Sequence, residues 1–209
     1  MKKQNTIIIA RHGNTFAAGE VVRRVGITDL PLVESGVQQA EKLAQHLLAE
    51  GLRPSVIFTS ELQRTQKMAE IFCKIAGEQI PTFAKPIFNE INYGIDENQP
   101  EEQVAKRLGE KLQLWEEHGI PPEDWHINVR QVLQNWQDFL QILWQNYAGE
   151  SKIFLVITSN GIARFAPKLC ANFADEQHKY SPKLSTGAFG IIQLAQYNQY
   201  ILQSWNIRP

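Results

Sequence analysis

Three short apolar runs, Thr6 to Ala10, Ser55 to Thr59 and Ile153 to Thr158, are rich in β-branched residues, nearly continuous, and each closed by polar residues. Runs of this kind suit strands buried on both faces, as in a parallel sheet covered by helices. The segments after the first two repeat at helical spacing. Ser35 with Gln38 forms a capping box ahead of Val37, Ala40, Leu43, Ala44, Leu47 and Leu48, a series that Gly51 ends. Ser60 and Gln63 repeat that signature before Met68, Ile71, Phe72 and Ile75. Alternating strands and helices predict an α/β fold, a three-layer sandwich with a mostly parallel central sheet covered by helices.

The rhythm breaks between Asn92 and about Asp124. Glu101 to Glu117 reads as a charged helix with Val104, Leu108, Leu112 and Trp115 on one stripe, and Pro121 and Pro122 punctuate the chain after it. A second helix, from about Asn128 to Tyr147, carries Val132, Leu133, Trp136, Leu140, Leu143 and Trp144 and leads back to the strand at Ile153. Residues 92–127 or so are therefore read as a helical insertion lying over the sheet edge, within a single domain spanning 1–209. The tryptophans are read as core.

At 209 residues with a formal net charge of -1, the chain has the length of one domain and no basic excess for binding a nucleic-acid backbone. A local basic pocket stays open. Cys73 and Cys170 are too few and too far apart for a disulfide framework or a four-thiolate metal site, which suggests a reducing compartment. The first apolar run, Ile7 to Ala10, is too short for a signal-peptide core, and no stretch approaches the ~20 apolar residues of a membrane span. A soluble, cytoplasmic protein is the expectation, with no nucleic-acid or membrane partner; oligomeric state is not legible.

In an open α/β sheet, ligands collect beyond the carboxyl ends of the strands. The three predicted strand ends carry Arg11-His12-Gly13-Asn14-Thr15, Ser60-Glu61-Leu62-Gln63-Arg64-Thr65 and Ser159-Asn160-Gly161-Ile162-Ala163-Arg164. Arginine offers a planar fork of donors suited to phosphate or carboxylate, and Gly13 is expected to let the backbone approach an anion. An imidazole between such arginines is a candidate nucleophile toward phosphorus.

Four ordered motifs give the chain a family resemblance. Ile8-Ile9-Ala10-Arg11-His12-Gly13-Asn14-Thr15 is similar to the opening Arg-His-Gly motif of the histidine phosphatase superfamily, whose fold is that of the phosphoglycerate mutases. Gly26-Ile27-Thr28-Asp29-Leu30-Pro31-Leu32 resembles its Gly-x-x-Asp-x-Pro-Leu segment. Thr59-Ser60-Glu61-Leu62-Gln63-Arg64-Thr65 resembles its Ser-x-Leu-x-Arg motif, and Asn89-Glu90-Ile91-Asn92-Tyr93-Gly94 its Glu-x-x-(Phe/Tyr)-Gly motif. The resemblance implies metal-free phosphoryl transfer through a phosphohistidine, with no cofactor and with a small phosphorylated substrate or phosphate as ligand. His12 is then the nucleophile, Arg11 and Arg64 hold the phosphoryl oxygens, and Glu90 carries the proton. Asn14 and Thr28 fall where the family places further phosphate or substrate contacts, and the 92–127 insertion becomes a cap over the active site.

One motif departs from the family. Where relatives usually carry a second histidine after the third strand, this chain has Ser159-Asn160-Gly161. Ser159 and Asn160 are expected to line the phosphate site, with compensation from backbone N–H groups near Gly161 or from the loop holding His178 and Lys183. A serine donates a single hydrogen bond and carries no charge. Phosphomonoesterase activity, weakened turnover in a phospho-ligand-binding or regulatory protein, and mutase-type phosphotransfer are the functions this pattern allows.

Overall fold

The computed structural model describes residues 4–173 and 181–209. All three predicted strands form: β1 (Asn5–Arg11), β2 (Val56–Thr59) and β4 (Ile153–Thr158). They are joined by β3 (Thr82–Ala84), β5 (Phe189–Gln196) and β6 (Gln199–Ile207) in a six-stranded sheet of order β3-β2-β4-β1-β5-β6, where the three predicted strands are direct neighbours. The β3–β2, β2–β4 and β4–β1 pairings are parallel, whereas β1–β5 and β5–β6 are antiparallel. The sheet is thus mixed, its antiparallel part being a hairpin that turns at Tyr197 and Asn198, with Asn198 at φ 56°.

Period-two alternation along the central strands sends successive side chains to opposite layers. On one face Ile8, Ala10, Ile57, Leu155 and Ile157 pack with Ala40, Leu43, Ala44 and Leu47 of α1 (Glu34–Ala49) and Met68, Ala69 and Phe72 of α2 (Gln63–Ala76). On the other, Ile7, Ile9, Phe154 and Val156 meet Trp136, Phe139, Leu140 and Leu143. Those four belong to α5 (Val129–Asn146). A buried leucine or isoleucine in either layer contributes about 1.5–3 kcal/mol. The sandwich is therefore held by burial on both faces.

Both helices predicted to open with a capping box start otherwise. Val33 and Leu62 precede α1 and α2, and neither helix has a side-chain cap. Ser35 Oγ instead accepts from Asn14 Nδ2 at 3.2 Å, and Ser60 Oγ lies 2.7 Å from Thr65 Oγ1. These hydroxyls fasten the loops at the strand ends to the helices beyond them.

The charged helix predicted over 101–117 is two helices, α3 (Glu101–Leu108) and α4 (Glu110–His118). Gly109 separates them at φ 52°, a left-handed conformation that costs glycine little. Val104, Leu108 and Trp115 are buried, as the stripe predicted, and Trp125 stacks edge-on against both Trp115 and Tyr93. Buried Asp96 accepts from Trp125 Nε1 at 2.7 Å and from Arg107 Nε at 2.8 Å, so one carboxylate ties this segment together. Among the described residues, no helix is long and apolar enough to cross a membrane, and Cys73 and Cys170 are buried free thiols.

Candidate active site

Register places the three strand ends side by side, with Arg11 opposite Thr158 and Thr59 opposite Ile157. Beyond them lies a cavity of about 410 Å³ whose wall includes Arg11, His12, Asn14, Arg64, Glu90 and Asn160. Six of the eight residues assigned from sequence therefore converge on one space.

His12 is buried, and its ring is oriented at both nitrogens. Nδ1 lies 2.7 Å from the Gly13 carbonyl oxygen, and Nε2 lies 3.2 Å from Arg64 Nε. A carbonyl can only accept and a guanidinium can only donate. The proton accordingly sits on Nδ1, and Nε2 presents its lone pair. Burial, then the charges of Arg64 and Arg11, push the imidazole pKa well below 6.5. The ring is neutral at neutral pH, with Nε2 unprotonated.

Arg64, at the start of α2, is almost wholly buried. Its Nη1 donates to the Thr28 carbonyl at 2.9 Å and its Nη2 to the Gly26 carbonyl at 2.7 Å. Arg11 Nη1 donates to the Leu184 carbonyl at 2.9 Å. The loops aim both guanidinium groups before any ligand arrives.

Glu90 is buried too, its Oε1 accepting from Ile91 N–H at 2.9 Å and its Oε2 from Gly161 N–H at 3.0 Å. Burial raises its pKa above the ordinary carboxylate value, against those two hydrogen bonds and the charges of Arg64 and Arg11. A carboxyl so raised is suited to carry a proton. A Cβ at Gly161 would stand 2.2 Å from Glu90 Oε1, so any larger residue there displaces the carboxyl.

Several expectations are redirected. Thr28 is not among the cavity-lining residues: its hydroxyl donates to Glu97 Oε1 at 2.7 Å, and its contribution is the carbonyl that orients Arg64. Ser159 is also absent from that wall. It is 1% exposed, and its Oγ has no hydrogen-bond partner among the described residues. The Gly161 N–H is occupied by Glu90. Asn160 lines the cavity, but its Oδ1 accepts from Leu184 N–H at 2.8 Å. Gly13 serves a close backbone contact: a Cβ there would lie 2.3 Å from the Gly36 carbonyl oxygen. Lys183 reaches the cavity, while His178 lies outside the described residues.

Sequence reasoning missed four participants. Glu97 collects Gly26 N–H, Thr28 N–H and Thr28 Oγ1 on Oε1 at 2.7–3.0 Å, and Tyr93 N–H on Oε2 at 3.2 Å. Arg24, Glu101 and Glu116 line the outer cavity. The Arg23-Arg24 pair was the available signal for Arg24; the three glutamates look like any charged helix or loop residue.

Fold and site together define an α/β protein with a histidine and two arginines converging at the carboxyl edge of its sheet. The chain belongs to the histidine phosphatase superfamily (branch 1), whose profile it matches over residues 7–207. It is 34% identical over 110 residues to the "Probable phosphoglycerate mutase GpmB" of Yersinia pestis (strain Pestoides F), covering 49% of this chain and 48% of that protein. The match thus spans about half the length of such curated relatives. The fold is shared with the alpha-ribazole phosphatase from Shigella flexneri at a TM-score of 0.71, with 20% identity and coverage of 97% and 96%. It is also shared with mycobacterial glucosyl-3-phosphoglycerate phosphatase at 0.76, with 18% identity and coverage of 98% and 99%. Bacillus stearothermophilus YhfR gives 0.75, with 23% identity and coverage of 97% and 96%.

Proposed function

We propose that this protein is a phosphomonoesterase that works through a phosphohistidine on a small phosphorylated substrate, without a metal ion or cofactor. The observation that carries this reading is the unprotonated Nε2 of His12, held in one cavity with Arg11, Arg64 and the proton-bearing candidate Glu90. Nε2 gives up its hydrogen bond from Arg64 Nε and attacks phosphorus in line with the ester oxygen, forming an N–P bond as the P–O bond breaks. Arg11 and Arg64 spread their donors over the non-bridging oxygens and stabilise the charge there. Glu90 gives its proton to the departing alkoxide. As carboxylate it then takes a proton from the water that cleaves the N–P bond, which regenerates neutral His12 and protonated Glu90.

Asn14 and Asn160, with amides on the cavity wall, are proposed as further phosphate contacts. Ser159 is proposed to stand in place of the family's second histidine. The charge a second imidazole would bring is then absent at that position, and loss of one such donor costs about 10²–10³ in rate. Phosphate-ester hydrolysis can be accelerated by more than ~20 kcal/mol of barrier lowering, so turnover survives such a loss. Residues 92–127 act as a cap, since Tyr93, Glu101 and Glu116 come from that segment. The buried free thiols suit a reducing, cytoplasmic setting.

Incubation with a panel of phosphate monoesters tests the proposal. Phosphate release is expected, together with a loss of about three orders of magnitude or more in His12→Ala. Equal release by that variant would reject the mechanism. Likeness to the "Probable phosphoglycerate mutase GpmB" of Yersinia pestis favours one second reading, transfer of the phosphoryl group back to a hydroxyl of the same substrate. Interconversion of phosphoglycerates without net phosphate release would support it.

A further inference from the structure

The cavity that holds His12 is also lined by an interlocked set of charges. Arg24 Nη2 is ion-paired with Glu101, its Nη1 lies 3.9 Å from Glu116 Oε1, and its guanidinium sits over the rings of Tyr93 and Trp125 at 5.2 and 5.3 Å. Lys183 Nζ lies 3.1 Å from Glu116 Oε2. Glu116 is also fixed through its backbone. Buried Arg164 donates from Nη2 to the Glu116 carbonyl at 2.7 Å while its guanidinium stacks over Trp115 at 4.2 Å. The Glu116 backbone is therefore fixed, while its carboxylate has only ion-pair contacts and its buried Oε2 has no hydrogen-bond partner among the described residues.

We propose that Arg24, Glu101, Glu116 and Lys183 form the leaving-group subsite, and that it selects phosphate esters of uncharged, hydroxylated alcohols over esters bearing a carboxylate. This inference rests on the phosphomonoesterase reading of the inner site. Arg24 and Lys183 are each already matched by a carboxylate, while Arg23, on the same wall, donates to the Asn98 carbonyl at 2.9 Å. A ligand carboxylate at this wall meets Glu101 and Glu116 as like charges, or must displace one of them from its cation. Such repulsion discriminates between substrates as effectively as attraction does. A hydroxyl behaves differently: it donates to a glutamate oxygen and accepts from Lys183 or Arg24, inserting without changing the balance of charge. Several hydroxyls on one carbon chain match the alternation of acceptors and donors along the wall.

Glycerol 3-phosphate and 3-phosphoglycerate share a carbon skeleton and differ in whether the far carbon is CH₂OH or carboxylate. The ratio of their kcat/KM values reads the subsite directly. A preference of about tenfold or more for glycerol 3-phosphate is expected, and Glu116→Gln should shrink that ratio about fivefold or more. Glu101→Gln, at a half-exposed position, should shrink it in the same direction. A preference for 3-phosphoglycerate, or a ratio untouched in both variants, would overturn the inference. If p-nitrophenyl phosphate and both esters are all left intact, the phosphomonoesterase reading fails instead. Calorimetric binding of the two esters to the same proteins then decides the subsite by the same ratio.

Discussion

Arg64 Nε points at His12 Nε2 across 3.2 Å, so an arginine held by two backbone carbonyls holds the imidazole in its nucleophilic tautomer. The same contact sets the response to pH. The imidazole pKa is lowered in the fold by burial, Arg64 and Arg11, whereas the unfolded chain takes up the proton near the ordinary value of 6.5. As pH falls below 6.5 the unfolded state binds a proton that the native state does not, so stability is lost from there down to the folded pKa. His12→Asn should therefore show a smaller fall in Tm between about pH 7 and pH 5 than the parent protein. Equal falls in a thermal-melt series would place the imidazole in a solvated setting.

Glu90 is assigned the proton that the leaving alkoxide needs. An alkyl phosphate requires that proton, whereas p-nitrophenolate departs without it. Glu90→Gln should accordingly lose about 10²–10⁴ in kcat/KM on an alkyl phosphate, and at least about tenfold less on p-nitrophenyl phosphate. Equal losses on both substrates would mean that Glu90 only positions other groups.

Gly161 and Glu90 touch so closely that the glycine is a handle on the carboxyl. The Cβ of Gly161→Ala falls 2.2 Å from Glu90 Oε1, and both carboxylate oxygens are already hydrogen-bonded. Displacing the acid by about 1 Å should lower kcat about 10²-fold. Circular dichroism and melting should show the fold retained. Unchanged kcat would show that the loop yields without moving Glu90.

Glu97 acts through other residues and never reaches the cavity wall. It gathers the loop at Gly26 and Thr28, whose carbonyls in turn aim Arg64. Burial alone would raise its pKa, but the Thr28, Gly26 and Tyr93 hydrogen bonds prevail and hold it below 4.5. The stability it contributes is present above pH 4.5 and is lost as pH falls through the folded pKa. Glu97→Ala should raise KM for phosphate esters several-fold, by roughly 1 kcal/mol of lost orientation, and flatten the acid limb of the stability curve. Glu97→Asp should recover part of both effects. A KM unchanged in Glu97→Ala would show that Arg64 is aimed without it.

Arg11, His12 and Arg64 were legible because they sit at strand ends, where nearly continuous apolar runs stop and polar side chains begin; Glu90 was placed by its motif. Register did the rest, bringing residues 11, 64 and 90 to one cavity. β5 and β6 were not anticipated: each alternates apolar and polar residues, so neither forms the continuous run that marks β1, β2 and β4. Ser35 and Ser60 resembled helix caps, but local spacing does not reveal that Asn14 and Thr65 compete for their hydroxyls. Thr28 was placed by motif and Ser159 by its strand end, and each fixes a position in the chain without fixing where its side chain points. Arg24 and Glu116 escaped notice because they meet each other and Lys183 only through the tertiary fold.

Rapid-quench trapping with a ³²P-labelled ester tests the central claim most directly. The account predicts an acid-labile, alkali-stable phosphoprotein labelled at His12, formed as fast as phosphate is released and lost in His12→Ala. Steady turnover without label on His12, or label that persists after His12 is removed, would contradict it.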